Sequence, residues 1–173
     1  AVLKTCIHYG PIALKEPDNY DARANLMWAG TWAINGLLGN GKMTMWSAHP
    51  MEHELSAFYD ITHGTGLAIL TPHWMRHVLN DNTVHKLAEY GVNVWGLPAN
   101  ADVYKTANAA IDKTSEFFAS LGIPMTLHEV GIGEEHLKEM AEAAVMHRSR
   151  SGKILGFQTL TAADVLAIYK AAL

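Results

Sequence analysis

Apolar positions along this chain recur at helical spacing, and little of it alternates with a period of two. Leu26, Ala29, Ala33, Gly36 and Leu37 follow the helical period, with Trp28 and Trp32 four apart beside them. That pattern predicts a long helix over 20–38, buried on much of its surface with both tryptophans in the core, and Asp18 or Asn19 is placed to cap it. Ahead of it, Val2 to Tyr9 forms a short apolar segment that Gly10-Pro11 is expected to end.

Downstream, Leu67, Ile69, Leu70, Trp74 and Val78 predict a buried helix over 63–79. The pattern breaks at Asp81-Asn82-Thr83, resumes over 85–94 and closes at Gly96. A long amphipathic helix is expected over 101–121, with Ala109, Ile111, Phe117 and Phe118 among its apolar positions and Gly122 as its stop. Gly133-Glu134-Glu135 opens a further helix with acids in its first turn, and His147-Arg148-Ser149-Arg150 places positive charge near its other end, both as the helix dipole favours. Thr161-Ala162-Ala163-Asp164 spells a capping box ahead of a last helix through Ala172. No pair of strands competes with these segments. The expected fold is an all-α helical bundle, one helical domain over residues 1–173.

That class limits function. Without a strand, turn and helix around a glycine fingerprint, these residues cannot be the main binding site of a nucleotide. Gly36 to Lys42 has the outline of a phosphate-binding loop, but it follows a helix, and Met43 stands where a hydroxyl should reach magnesium. The 173 residues are 49% apolar, enough for a sizeable core, and a net charge of −4 with no basic stripe excludes nucleic acid as an expected partner. Cys6 stands alone, so an internal disulfide is excluded. No apolar run is long enough for a membrane span or signal peptide, and a soluble cytoplasmic protein is expected.

Candidate chemistry concentrates in Trp46–Gly66, WSAHPMEHELSAFYDITHGTG. Ser47 can cap a helix in which Pro50 sits harmlessly in the first turn and Leu55 and Phe58 share an apolar face. On that helix His49 and His53 lie one turn apart on one face, and His63 opens the next element, capped by Asp60 or Thr62. Two of these imidazoles can share a metal. The same residues allow a rival. His49-Pro50-Met51-Glu52-His53 spells H-x-x-E-H, a zinc metallopeptidase motif in which both histidines bind zinc, Glu52 is the general base and His63 is incidental. A third reading is a non-catalytic helical binding module. His73, His77 and His85 have no matched third ligand and are expected at the surface or in the core.

The run AINGLLGNGKMTMWSAHPMEHELSAFYDITHGTGLAILTPHW, from Ala33 to Trp74, resembles the C-terminal helical domain of iron-containing, or group III, alcohol dehydrogenases, in the butanol dehydrogenase and NADPH-dependent aldehyde reductase branch. The likeness continues through Phe117–Pro124, Glu129–Ile132 and Leu160–Val165, and so covers nearly the whole chain. The resemblance implies the helical domain of the dehydroquinate synthase-like fold. In that family one divalent metal, iron or sometimes zinc, is held by an aspartate and three histidines, the last two fourteen apart, and His49 and His63 match those two. His53 matches a histidine that stays off the metal near the nicotinamide and the substrate, a catalytic and cofactor-binding place. The implied activity interconverts primary alcohols, butanol-like, and aldehydes by hydride transfer with NAD(P). The implied partners are the alcohol or aldehyde, an N-terminal nucleotide-binding domain and a second copy in a homodimer. The family's aspartate and first histidine belong to a D-x-x-x-H motif, which is absent ahead of Trp46, and Ala1 stands where an initiator Met would. The chain is therefore expected to be the C-terminal half of a longer enzyme, inactive in isolation and weak in metal binding. Glu52→Gln is expected to abolish a peptidase and to be mild in a dehydrogenase, with His63→Ala doing the reverse.

Overall fold

The structure, a computed structural model, describes residues 1–148 and 152–173, with the side chains of 147 and 148 left out. The basic run His147-Arg148-Ser149-Arg150 therefore lies outside the described side chains. Eight helices are found among the described residues: α1 Val2–Lys15, α2 Tyr20–Ile34, α3 Ala48–Tyr59, α4 His63–His77, α5 Val84–Trp95, α6 Val103–Ser120, α7 Leu137–Arg148 and α8 Ala162–Ala171. Extended pairing among them amounts to an isolated antiparallel bridge between Ile154 and Leu160, so the all-α expectation holds.

The chain divides into two compact units, residues 1–44 and 45–173. In the first, α1 packs against α2. Contrary to the sequence reading, α1 runs through Gly10-Pro11. A proline inside a helix removes one N–H and crowds the carbonyl four residues back, and here the turns on either side continue and Glu16 N–H still donates to Ile12 O. Asn19 caps α2 as expected, its side chain accepting from Ala22 N–H at 3.0 Å. The helix stops at Ile34 and buries only Ala22 and Ala29 fully. Trp28 is 61% exposed, which overturns the expectation that both tryptophans are core. Apolar side chains occur around much of α2, and one neighbouring helix can cover one stripe of them.

The second unit holds the main core. Met51 and Leu55 from α3, Ile69 and Leu70 from α4, Met140 from α7 and Tyr169 from α8 meet there, all fully buried. The Tyr169 hydroxyl donates to Met51 O at 2.6 Å, tying α8 to α3 through the one polar atom of a buried ring. A smaller cluster joins Val84 and Leu87 of α5 to Ala107 and Ile111 of α6. These two helices approach closely at Gly91, where a Cβ would stand 3.0 Å from Ala110 Cβ. The predicted capping box of α8 is complete: Thr161 and Asp164 exchange side-chain-to-backbone hydrogen bonds. Helix α7 begins at Leu137, later than its acids suggested. Gly133 is a poor helical residue, and Leu137, 1% exposed, is the first side chain of that segment able to anchor in the core.

The connection from α3 to α4 positions the histidines. Asp60 adopts a left-handed conformation, φ 53°, and its N–H closes the last turn of α3 on Ser56 O. Ile61 and Thr62 then carry the chain straight into α4, which starts at His63. The turn brings the first residue of α4 back against the face of α3 that carries His49 and His53.

Candidate metal centre

Three imidazoles meet at this corner. Ring centroids are 5.3 Å apart for His49 and His63, 5.5 Å for His53 and His63, and 6.1 Å for His49 and His53. His53 and His63 are exposed and His49 is half-buried, with the Trp46 indole edge-on to it at 4.5 Å. The structure thus brings together all three histidines singled out in the sequence. Imidazoles from two elements, partly open to solvent, form a donor set that suits Fe2+ or Zn2+.

Beneath them lies Glu52, 0% exposed. One of its carboxylate oxygens takes the Ser56 hydroxyl at 2.6 Å, and the other faces Nδ1 of His63. Nδ1 of His63 is thus occupied by Glu52, and Nε2 is the ring nitrogen left for a metal. Space for the carboxylate exists because residue 66 is glycine: a Cβ there would stand 2.7 Å from Glu52 Cγ and 2.9 Å from its Oε1. Potential donor atoms of Glu52, His53 and His63 all lie within 4.8 Å of one another. Both oxygens of Glu52 already have partners inside the protein, which favours it as a support for the imidazole over a place in the coordination shell. In the sequence Glu52 had a role only in the peptidase reading. Its spacing from Ser56, one helical turn, and the glycine three residues after His63 are the signals that could have placed it.

This geometry serves the H-x-x-E-H reading badly. A general base must reach water on the metal, whereas Glu52 points into the protein and is engaged on both oxygens. Nor is His63 incidental, since it touches both other rings. Close by, burial pushes the Tyr169 hydroxyl well above its ordinary pKa, and the charges of Glu54 and Glu52 push it further, so it stays a hydrogen-bond donor. His77 does not approach the cluster's chemistry, being paired to Asp164 at 3.1 Å.

Residues 1–173 match throughout the description "Fe-containing alcohol dehydrogenase family, C-terminal". The chain belongs to the iron-containing alcohol dehydrogenase family. It is 58% identical over 170 residues to NADH-dependent butanol dehydrogenase A of Clostridium acetobutylicum, covering 98% of this chain and 43% of that protein. To the NADPH-dependent aldehyde reductase YqhD of Escherichia coli it is 42% identical over 131 residues, 76% of this chain and 33% of that protein. The crystal structure of NADH-dependent butanol dehydrogenase A from Thermotoga maritima is similar at a TM-score of 0.90 and 30% identity, covering 99% of this chain and 44% of that one. The chain therefore spans less than half the length of these relatives. The family and branch expected from Ala33–Trp74 are the ones found, as is the helical class. No helix among the described residues is long and apolar enough to cross a membrane.

Proposed function

We propose that this chain is the C-terminal, metal-binding domain of an NAD(P)-dependent alcohol dehydrogenase or aldehyde reductase that interconverts butanol-like primary alcohols and aldehydes. His49 and His63 are its metal ligands, for divalent iron or zinc, and His53 is its catalytic histidine beside the nicotinamide. The observation that carries this reading is the meeting of His49 and His63, fourteen residues apart, with ring centroids at 5.3 Å and His53 alongside. The metal, when bound, polarises the oxygen of the alcohol or aldehyde as a Lewis acid. His49 from α3 and His63 from α4 would hold it, both on helices anchored in the packed core. His53 is exposed and needed by neither ligand, which suits it to carry a proton between the reacting oxygen and solvent. Hydride transfer belongs to the cofactor, which a nucleotide-binding domain elsewhere in the polypeptide would hold. A homodimer and a cytoplasmic setting complete the proposal.

The test uses the whole polypeptide encoded by the reading frame that contains this chain. Purified protein is expected to hold one divalent metal per chain and to reduce NAD(P) in the presence of butanol. His49→Ala and His63→Ala should each lose the metal, whereas His53→Ala should keep it and lose about 10²-fold or more in turnover. Full metal occupancy in His63→Ala would overturn the ligand assignment. Peptide hydrolysis abolished by Glu52→Gln would install the peptidase in its place.

A further inference from the structure

We propose that Glu52 is the positioning residue of the metal site: its buried carboxylate holds Nδ1 of His63 and so aims Nε2 at the cation, and Ser56 and Gly66 exist in this fold to keep that carboxylate in place. The proposal rests on the reading of His63 as a ligand. It gives Glu52 a part in the dehydrogenase and so replaces the sequence expectation that Glu52→Gln is mild there.

Three observations carry it. First, a carboxylate with no exposure is costly unless it is paired, and Glu52 has His63 and the Ser56 hydroxyl as its partners. Histidines that bind metals almost always donate their other ring N–H to such a group, which fixes the tautomer, orients the ring and makes the ligating nitrogen more basic. Second, the support is itself built. Ser56 lies one turn along α3 from Glu52, and its one hydroxyl proton goes to the nearer acceptor, Oε1 at 2.6 Å, with Ile61 O a longer contact at 3.1 Å, so it holds the carboxylate beside the turn that leads to His63. Third, Gly66 lies on the first turn of α4, one turn past His63, and any side chain there would occupy the space of the Glu52 carboxylate. Its role is thus to let α4 sit against a buried acid. The glycine has no unusual backbone conformation that would otherwise explain it, being an ordinary helical residue of α4.

The arrangement also explains how His63 can be half exposed and still be held in one orientation. One side of the ring is open to solvent, and Nδ1 is held by Glu52. His53, also exposed, has its ring 5.5 Å from that of His63 and so stands beside the site.

The experiment measures binding of Co2+, as a spectroscopic substitute for the resident metal, to the whole metal-free polypeptide, by its visible absorption and by competition with a chelator. Glu52→Gln keeps the shape and removes the charge, and it should weaken Co2+ binding by about 10–100-fold and shift the absorption band. Gly66→Ala should weaken it in the same range by displacing the carboxylate. In the double variant Glu52→Gln/Gly66→Ala the two losses should not add, because both act on the same contact. His63→Ala is the control for the underlying reading. If His63→Ala leaves Co2+ binding intact, the ligand assignment has failed. If His63→Ala abolishes binding while Glu52→Gln leaves affinity and band within about twofold, the positioning role is overturned and the ligand stands. Should Glu52→Gln not fold, Ser56→Ala decides the question: a several-fold weaker site with a shifted band supports the role, and an unchanged site overturns it.

Discussion

In residues 45–173, α3, α4, α7 and α8 bury Met51, Leu55, Ile69, Leu70, Met140 and Tyr169 completely, while in residues 1–44 the exposed residues of α2 include Met27 at 74%, Trp28 at 61% and Ile34 at 75%. The two regions draw on similar side chains, and α2 is more apolar than α3 or α4. What differs is the number of neighbouring helices. Helix α3 touches α4 and α7, whereas α2 has α1 and the turn at Leu37–Gly39. The candidate metal centre belongs wholly to the well-packed region, and the histidines proposed as its ligands sit on α3 and α4, whose inner faces contribute to that core. A site that must hold a cation within tenths of an ångström gains its rigidity there. The smaller unit offers surface instead.

The most severe way to test that contrast is to truncate a core residue next to the site. Leu55 lies on α3 two residues after His53 and is fully buried. Leu55→Ala should lower the unfolding free energy by about 2–5 kcal/mol, measured by denaturant titration. A loss below about 1 kcal/mol would mean that the core is looser than the burial indicates, and the two regions would no longer differ in kind.

A smaller effect is expected at the start of α8, where Asp164 serves both the capping box and His77 of α4. Burial pushes its carboxyl up, but hydrogen bonds from the Thr161 hydroxyl and backbone, then the hydrogen bond and charge of His77, more than reverse this and hold it below the ordinary aspartate value. A depressed carboxylate stabilises the fold above its unfolded pKa, near 4, and that contribution disappears as pH falls through the lower folded value. Asp164→Asn should therefore cost about 1 kcal/mol at neutral pH and flatten the acid side of the stability profile, followed by thermal melting between about pH 2 and 7. An acid limb unchanged by the substitution would show that α8 is docked by its apolar face alone.

Local rules explain which parts of the molecule could be read from residues alone. Asn19 at the cap of α2, the box at Thr161 and Asp164, the stop at Gly122 and the placing of His49 and His53 on one helical face all depend on residues within a turn or two of each other. Sequence spacing contains that information directly. The exposure of Trp28 does not follow from spacing, because it depends on how many other helices arrive. Pro11 also looked like a boundary by its local chemistry and lies inside α1. At the metal centre, the fourteen-residue spacing of His49 and His63 was informative only through the family resemblance. The contact between Glu52 and His63 needed the left-handed turn at Asp60 and the open space at Gly66 to become visible. A buried acid that faces a histidine eleven positions on has no signature in helical periodicity.

The smallest expected effect falls on the exposed side of the contrast. Trp28 meets Trp32 edge-on with centroids 5.7 Å apart, beside an open groove of about 370 Å³ lined by Val2, Asn25, Ala29 and Leu38. That contact is the main packing Trp28→Ser would remove in the 173-residue chain, and an aromatic pair on the surface contributes about 0.5–1.5 kcal/mol. The substitution should thus lower the unfolding free energy by about 1 kcal/mol or less and make the chain more soluble, since exposed apolar surface of this size promotes association. Both are read from one denaturant series at two protein concentrations. A loss comparable to that of Leu55→Ala would place Trp28 in a core and erase the difference between the regions. If the loss is small in this chain and several-fold larger in the whole polypeptide, α2 is a face that other residues of the enzyme cover, and the apolar side chains that are idle in one setting are structural in the other.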